Sequence, residues 1–275
     1  MPTAAVSRSD RARAARKFIS GGRARLREAL CNTGGLVLGD LEAHLDRYLT
    51  TLAMVPPAEP GARLLDIGTF PALMRVLGCV WGYECRSCTR GTVAGTRQRS
   101  LRGSGEWPDY SFEIDTGDAE MDRLPYPPGS FDVVTCWEVI EHLGRDPMHM
   151  LWEINRVLKP QGILVLTTPN IASLRSIRDV LNGDSPYLFA HFSKTGALDR
   201  HMREYTPSEI RSMLASSGFS TDGVQTAYVW GGYLPDVIER LHVLGASVED
   251  RGDDIIAVAR KASLPAVRFP SQFYV

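Results

Sequence analysis

The chain has 275 residues and a formal net charge of −1, and 44% of its residues are hydrophobic and 23% charged. This composition is typical of a globular protein, and it shows no sign of the basic domain or stripe that nucleic-acid binding usually requires. No apolar run approaches the roughly 20 residues of a membrane span, and the Arg- and Ala-rich residues 7–27 lack the apolar segment of a secretory signal. We therefore expect a cytoplasmic protein.

The five cysteines do not form the pattern of a secreted disulfide framework, because their number is odd and their spacing irregular. Cys85 and Cys88 form a C-x-x-C pair, but a zinc site would need a second pair or suitably spaced histidines. On a strand, residues three apart point to opposite faces. The sequence predicts free thiols and no metal site.

The first predicted elements are a helix and a buried strand. Leucines recur at three- and four-residue spacing over Gly35–Leu52, which predicts a helix. After a proline-rich break, Arg63–Gly68 has no polar alternation and is typical of a parallel strand covered on both faces. A helix over Pro71–Leu77 and a second strand over Tyr83–Cys88 follow.

The middle of the chain alternates strands and helices. Residues 89–110 are polar and glycine-rich, which predicts a surface loop or a mobile lid. The later elements are strands over Ser111–Ile114, Phe131–Cys136 and Ile163–Thr168, a helix over Pro147–Leu158 and a turn over Lys159–Gly162. This alternation predicts a mostly parallel, doubly wound α/β sheet, which binds ligands at the carboxyl ends of its strands.

Two candidate ligand-binding segments follow predicted strands. Asp66, Gly68, Thr69 and Phe70 form a turn between a strand and a helix, where a glycine lets a ligand approach backbone N–H groups. An ordinary tight turn explains that pattern equally well. In the loop over Asp118–Glu120, a carboxylate can accept a hydrogen bond from an adenine amino group, although on its own a solvated loop acid is the better interpretation.

A third candidate segment is Trp137–His142, directly after the Phe131 strand. If it is helical, Glu138, Glu141 and His142 share one face. The E-x-x-E-H spacing lacks the second histidine of a metalloprotease motif. A neutral imidazole here can act as a general base, so His142 is a candidate base, and a capping or packed histidine is the alternative.

The order of these segments is more specific than any one of them. The series LPYPPGSFDVV, EVIEHL and RVLKPQGILVLTTPN resembles the class I S-adenosylmethionine (SAM)-dependent methyltransferases, in the group that includes the ubiquinone and menaquinone biosynthesis enzymes. The resemblance runs over about residues 63–219, and Asp254–Arg260 is similar to the family's last, antiparallel strand. It implies a Rossmann-like fold with a helical cap, SAM as cofactor, and methyl transfer to an O or N atom of a small secondary-metabolite or glycan-type acceptor.

The resemblance also assigns cofactor contacts. It places Asp66, Gly68 and Thr69 around the methionine part of SAM, Asp118 and Ala119 on the adenine side, and Trp137 and Glu138 beside the cofactor and acceptor. Two positions depart from the family: Phe70 and Ala72 replace glycines of the turn, and Thr89 stands where an acidic residue usually holds the ribose hydroxyls. Phe70 and Thr89 are therefore also expected at the cofactor.

On the acceptor side, the family often builds a substrate cap, which here corresponds to residues 171–205. Its candidate acceptor contacts are Tyr187, His191, Arg203 and Tyr205, and His142 or His201 is the candidate base for a hydroxyl acceptor. In the alternative, Arg203 pairs with a neighbour and Tyr205 packs. The cap is expected to end where Thr206, Pro207 and Glu209 begin a helix with a capping box.

The sequence thus predicts four segments: N-terminal helices (1–60), a SAM-binding core (61–170), the cap (171–205) and the rest of the core with a tail (206–275). The expected partner is a small-molecule acceptor, without nucleic acid or membrane, and a homodimer stays open. A nicotinamide oxidoreductase is disfavoured because the G-x-G-x-x-G fingerprint is absent. An enzyme that uses the aminocarboxypropyl chain of SAM, and a non-catalytic SAM-binding module, both stay open.

Overall fold

The computed structural model describes residues 6–30, 38–68, 70–91, 95–189, 191–192, 194 and 200–275, with the backbone alone for 38–41. Across these residues an eight-stranded sheet carries helices on both faces. The strands are β1 (Arg63–Ile67), β2 (Glu84–Thr89), β3 (Thr96–Leu101), β4 (Tyr110–Thr116), β5 (Phe131–Trp137), β6 (Leu158–Pro169), β7 (Val224–Ala227) and β8 (Asp254–Arg260).

The helices are α1 (Arg8–Ser20), α2 (Gly22–Leu30), α3 (Leu38–Met54), α4 (Pro71–Val76), α5 (Pro147–Val157), α6 (Leu174–Leu181), α7 (Pro207–Ser216) and α8 (Pro235–Val243). A π-helical turn, Leu77–Trp81, extends α4, and a single 3₁₀ turn, Ile140–His142, follows β5. None of the described helices is both long and apolar enough to span a bilayer.

The strand order β3-β4-β2-β1-β5-β6-β8-β7 confirms the predicted fold class. Strands β4, β2, β1, β5 and β6 pair in parallel, whereas β8 pairs antiparallel to β6, as predicted for the last strand. The chain continues from β1 to β2 on one side, and from β5 to β6 on the other side, so the strand order reverses between β1 and β5. The crevice between the carboxyl ends of β1 and β5 is the usual ligand site of such sheets.

The core lies in two layers because successive strand residues point to opposite faces. Leu65 and Val134 pack in a buried cluster that also contains residues of α5 and α7. Leu64 and Val133, one position earlier on the same strands, pack in a second cluster with residues of α1 to α4. Helices therefore cover both faces of β1 and β5, which explains why these strands show no polar alternation.

The prediction of a loop over residues 89–110 is wrong in part, since that segment contains β3. This strand pairs antiparallel with β4 at the sheet edge, from Thr96 opposite Asp115 to Leu101 opposite Tyr110. Its first five residues are exposed and only Leu101 is buried. An edge strand with polar side chains on both faces has no hydrophobic alternation to reveal it, and such side chains are usual where an edge must not pair with another chain.

The turn predicted over Lys159–Gly162 lies inside β6. The pairing with β5 shifts register there, from Phe131 opposite Leu158 to Val133 opposite Ile163. Gln161 adopts a positive φ of 63°, so the backbone does bend at this point. Residues 159–162 have no paired residue on β5 or β8, so the predicted turn is present as a bulge within β6 and not as a break between two elements.

The ends of the segment 171–205 meet beside the sheet. Asn170 forms a bridge with Tyr205, and the Ile171 N–H donates to the Tyr205 carbonyl at 3.0 Å. The segment thus leaves the core and returns at one place, which suits an insertion. Strands β7 and β8 lie beyond the segment in sequence and complete the same sheet. The division into four segments stays a proposal.

The capping box at the start of α7 is confirmed. The Thr206 hydroxyl accepts from the Glu209 N–H at 3.2 Å, and the Thr206 N–H donates to Glu209 Oε2 at 2.8 Å. Removing such an N-cap costs about 0.5–2 kcal/mol. Thr206→Ala is therefore expected to lower the free energy of unfolding by that amount in urea denaturation. Ser208→Ala, at an exposed position of the same first turn, is the control, and an equal effect of both changes would contradict the capping role.

Candidate functional site

Two adjoining cavities lie at the carboxyl ends of β1 and β5. The first has a volume of about 360 Å³ and is lined by Ile67, Gly68, Cys88, Thr89, Arg90, Gly117, Ala119, Glu138, Val139, His142 and Leu143. The second, of about 170 Å³, is lined by Arg47, Tyr48, Asp66, Ile67, Gly68, Phe70, Leu73, Trp137, Glu138 and Val139. Since Gly68 and Glu138 line both, the cavities form one elongated site across the crevice.

Gly68 is required where the two cavities meet. Its φ is +104°, which disfavours side chains, and an added Cβ would lie 2.6 Å from Val139 Cγ2. The Gly68 N–H donates to the Cys88 carbonyl at 2.9 Å, which ties the turn to β2. A ligand can therefore approach the main chain here more closely than at any residue with a side chain. Thr69, the next predicted contact, lies outside the described residues.

The predicted residues Asp66 and Phe70 both line the second cavity. Asp66 is buried, and its Oδ1 accepts a hydrogen bond from Thr135 Oγ1 on β5 at 2.6 Å. The Phe70 ring stacks on Tyr48, with centroids 5.0 Å apart. The phenyl ring that replaces a family glycine thus forms a wall of the cavity and packs against α3.

Glu138 lies between the cavities in an unusual backbone conformation, with a φ of 54°. Its N–H donates to the Thr167 carbonyl at 3.0 Å, and its Oε1 accepts from Thr167 Oγ1 at 2.7 Å. These contacts with β6 fix the carboxylate at the end of β5. Trp137, the residue before it, lines the second cavity, and its contact with a cofactor stays a prediction.

Arg47 is a site residue that the sequence did not predict. It comes from α3, is buried, and places its guanidinium 3.5 Å from Glu138 Oε1 and 4.8 Å from the centre of the Tyr48 ring. Burial disfavours its charge, but attraction to Glu138 and Asp254 raises the Arg47 pKa on balance. The second cavity therefore carries a fixed cation as well as carboxylates.

On the other side, the predicted cofactor contacts Thr89 and Ala119 line the first cavity, together with Arg90, which was not predicted. The Asp118 carboxylate is engaged within its own loop, where it accepts from the Glu120 N–H at 2.9 Å and pairs with Arg90 at 3.1 Å. The buried Glu120 accepts from the backbone N–H groups of Arg145 and Asp146. The loop is thus well anchored, and contact between Asp118 and adenine stays a prediction.

The prediction that Glu138, Glu141 and His142 share a helical face is wrong. Only Ile140–His142 forms a turn, and the positive φ of Glu138 reverses the chain before it. Glu138 contacts Thr167, whereas the fully buried Glu141 accepts from Thr168 Oγ1 at 3.0 Å. Adjacent strand residues point to opposite faces, so the two carboxylates contact opposite faces of β6. Burial, together with the charge of Glu138, raises the pKa of the Glu141 carboxyl well above its usual range.

The two candidate bases, His142 and His201, lie together. Their rings are 5.0 Å apart, edge to face, and His142 lines the first cavity. His142 Nδ1 is 3.1 Å from the Arg200 carbonyl, and His201 Nδ1 is 2.8 Å from Glu204 Oε1. Where the segment 171–205 returns to the sheet, it therefore places His201 beside His142, which follows β5.

The predicted acceptor contacts are more dispersed. Arg203 pairs with Glu209 at 2.6 Å, and Tyr205 is only 1% exposed within the core. This geometry matches the alternative in which Arg203 pairs and Tyr205 packs. Both residues also line a third cavity, of about 280 Å³, which shares Leu143 with the first cavity. Tyr187 and His191 are exposed, and His191 contacts Phe189, whose ring in turn lies 5.7 Å from His201.

Comparisons with known proteins agree with this architecture. Residues 38–223 match the family described as a methyltransferase domain. A ubiquinone biosynthesis O-methyltransferase from Xanthomonas campestris is 34% identical over 115 residues, covering 41% of this chain and 45% of that protein. A glycine/sarcosine/dimethylglycine N-methyltransferase from Actinopolyspora halophila is 28% identical over 132 residues, covering 47% of this chain and 22% of that protein.

Among solved structures, a SAM-dependent methyltransferase from Archaeoglobus fulgidus aligns with a TM-score of 0.52 at 17% identity, covering 82% of this chain and 98% of that one. This likeness supports the fold. The chain spans less than half the length of either curated relative. The family match covers more than half of this chain, so the chain belongs to the class I SAM-dependent methyltransferases.

Proposed function

We propose that this protein transfers the methyl group of SAM to an O or N atom of a small-molecule acceptor. The observation that carries the proposal is the pair of cavities that meet at Gly68 and Glu138, because their linings differ as the two halves of SAM differ. The first cavity is lined by the apolar side chains of Ile67 and Leu143 and by Thr89, whose hydroxyl can hydrogen-bond to a ribose hydroxyl. The adenosine half suits this cavity.

The second cavity suits the amino-acid half of SAM. It contains the buried cation Arg47 and the carboxylates of Asp66 and Glu138. A guanidinium pairs with a carboxylate, and carboxylates accept hydrogen bonds from an ammonium group. An amino acid carries one of each, so this lining is complementary to its charges. Gly68, at the junction, would allow the sulfonium region to approach the main chain.

Methyl transfer needs little covalent chemistry from the protein. The SAM sulfonium makes the methyl group an electrophile, and the protein aligns the acceptor atom in line with it. A hydroxyl acceptor also has to lose a proton, for which His142 and His201 are the candidate bases. A neutral amine needs no base. The acceptor would bind beside these histidines, under the segment 171–205.

Product analysis tests the proposal against the two alternatives left open by the sequence. The protein is incubated with SAM labelled in its methyl group and with fractions of a small-molecule extract, and products are identified by mass spectrometry. Adenosylhomocysteine with a labelled acceptor is the expected result. Methylthioadenosine would indicate transfer of the aminocarboxypropyl chain, and tight SAM binding without either product would indicate a binding module.

A cytoplasmic location and a homodimeric assembly stay predictions.

The departure at Thr89 gives a prediction of its own. A hydrogen bond to a charged group contributes roughly 1.5–3 kcal/mol, or about tenfold or more in affinity. Since Thr89 ends β2 and lines the first cavity, Thr89→Asp is expected to lower the Kd for adenosylhomocysteine about tenfold in calorimetry. Thr89→Val, which adds no charge, is the control and should not tighten binding. Weaker or equal binding by Thr89→Asp would show that this position does not face the ribose.

A further inference from the structure

Three side chains that can bind a metal ion lie beside the first cavity. The potential ligand atoms of Glu141, His142 and His201 are all within 4.8 Å of one another. His142 lines the cavity and its side chain is 31% exposed, whereas Glu141 is fully buried and His201 is largely buried. One side of the group is thus open to the cavity and the other is closed by protein.

The carboxylate of Glu141 lacks part of its hydrogen bonding. Its Oε2 accepts from Thr168, but within the described part of the chain its Oε1 has no hydrogen-bond partner. His142 Nε2 lies 3.9 Å from that oxygen. A buried carboxylate oxygen without a donor is unfavourable, and buried charges are normally paired or coordinate a metal. The site therefore has a buried carboxyl oxygen without a hydrogen-bond donor, close to the ring of His142.

The two histidines are held in the manner of metal ligands. The Nδ1 atom of His142 is next to the Arg200 carbonyl, and that of His201 is next to the Glu204 carboxylate. A neutral imidazole that donates from Nδ1 has its lone pair on Nε2, and metal-binding histidines are usually oriented by such carbonyl or carboxylate partners. Glu204 is itself fixed, because its Oε1 also accepts from the Leu188 N–H at 2.6 Å.

The backbone holds the two halves of this group together. The N–H groups of Met202 and Arg203 both donate to the Glu141 carbonyl, at 2.7 and 3.2 Å. The His201 N–H donates to the Phe189 carbonyl at 2.8 Å. Backbone hydrogen bonds therefore hold both Glu141 and His201 in place, so the approach of the three side chains does not depend on side-chain contacts alone.

We propose that Glu141, His142 and His201 bind a divalent transition-metal cation such as Mn²⁺ or Zn²⁺. Two imidazoles and one carboxylate favour such cations over Ca²⁺ and Mg²⁺, which prefer oxygen ligands. Zinc ligands at about 2.0–2.2 Å lie roughly 3.4 Å from one another in a tetrahedral site, so the side chains have to close by up to about 1.4 Å on binding. A cation here would leave coordination positions open toward the first cavity.

This position gives the cation a role that rests on the proposed function. A hydroxyl or carbonyl oxygen of the acceptor, bound beside the cofactor, could complete the coordination and would be oriented by it. The histidine lone pairs would then be used for the metal instead of for proton removal. A bound cation also lowers the pKa of an oxygen ligand, so the hydroxyl proton would pass to solvent without a histidine base.

Calorimetric titration of the full chain tests the site directly. The protein, without a histidine tag and after dialysis against a chelator, is titrated with MnCl₂ and with ZnCl₂ in the absence of SAM, and free Mn²⁺ is followed by electron paramagnetic resonance. We expect one Mn²⁺ per chain, and at least tenfold weaker binding for His201→Ala and Glu141→Gln. Glu204→Gln, which alters the partner of His201 and leaves the three proposed ligands in place, is expected to weaken binding by about 10- to 100-fold.

His242→Ala is the matched control, because His242 is exposed on α8. It should bind Mn²⁺ like the unchanged protein. Equal affinity of the unchanged protein and the folded His201→Ala and Glu141→Gln variants would overturn the site, as would the absence of any Mn²⁺ or Zn²⁺ binding. Because SAM is left out, such a failure leaves the proposed methyl transfer intact. Loss of adenosylhomocysteine binding in the chelated protein would instead count against the proposed function.

Discussion

Gly68→Ala is expected to weaken SAM binding by at least a hundredfold, or about 2.7 kcal/mol, while the protein stays folded. The new methyl group would lie 2.6 Å from Val139 Cγ2, and Val139 lines both cavities. Relief of this clash would move the valine, or the turn itself, into the space that the cofactor needs. Calorimetry with adenosylhomocysteine measures the loss of affinity.

Two further variants separate the steric effect from backbone strain. Gly231→Ala places an alanine at a φ of +76° with nothing within 4 Å of its Cβ, so it should leave the affinity unchanged. Gly68→Ala combined with Val139→Ala removes the atom that clashes and should recover part of the binding. If Gly68→Ala binds like the unchanged protein, the cofactor does not approach this turn.

His201→Ala and His142→Ala are expected to have the largest effect on turnover. Loss of a general base lowers the rate about 10²- to 10⁴-fold, and loss of a metal ligand that orients the acceptor should also lower it strongly. Cofactor affinity should change little for His201→Ala, since His201 comes from the segment 171–205 and pairs with Glu204. Steady-state kinetics and calorimetry on the same preparations separate the two quantities.

The comparison needs an acceptor identified by the product analysis, and His242→Ala serves again as the control. A residue that only forms a wall of the acceptor pocket raises KM without lowering kcat. If both variants keep the turnover of the unchanged protein, catalysis needs neither histidine. An amine acceptor, aligned by proximity alone, would then be the better interpretation.

The sequence predicted the elements that are buried on both sides and missed those whose character depends on neighbours. Strands β1 and β5 were predicted because Leu64, Leu65, Val133 and Val134 alternate between two apolar layers. Strand β3 was missed because it lies at the sheet edge with polar side chains, so no periodicity distinguishes it from a loop. Its pairing with β4 is a tertiary property.

The candidate site shows the same division. Asp66, Gly68, Phe70, Thr89 and Glu138 were assigned to the cofactor by the family resemblance, and they line the crevice between the carboxyl ends of the strands. Arg47 was not, since leucine spacing marks the buried face of α3 but does not show that an arginine on this helix reaches Glu138.

The proposed metal ligands Glu141, His142 and His201 could not be predicted as a group either. The E-x-x-E-H spacing was interpreted as one helical face, but the positive φ of Glu138 directs the two carboxylates to different sides of β6. The approach of His201 to His142 depends on where the segment 171–205 returns to the sheet. No local pattern encodes that contact.

A crystal structure of the protein with adenosylhomocysteine tests the central claim most directly. We expect adenosine in the cavity lined by Ile67, Thr89 and Ala119, and the amino-acid carboxylate against Arg47 in the adjoining cavity. The sulfur should lie at Gly68, facing the His142 side of the site. Adenosylhomocysteine bound elsewhere on the protein, or in these cavities with its amino-acid part away from Arg47, would show that the two cavities are not the cofactor site.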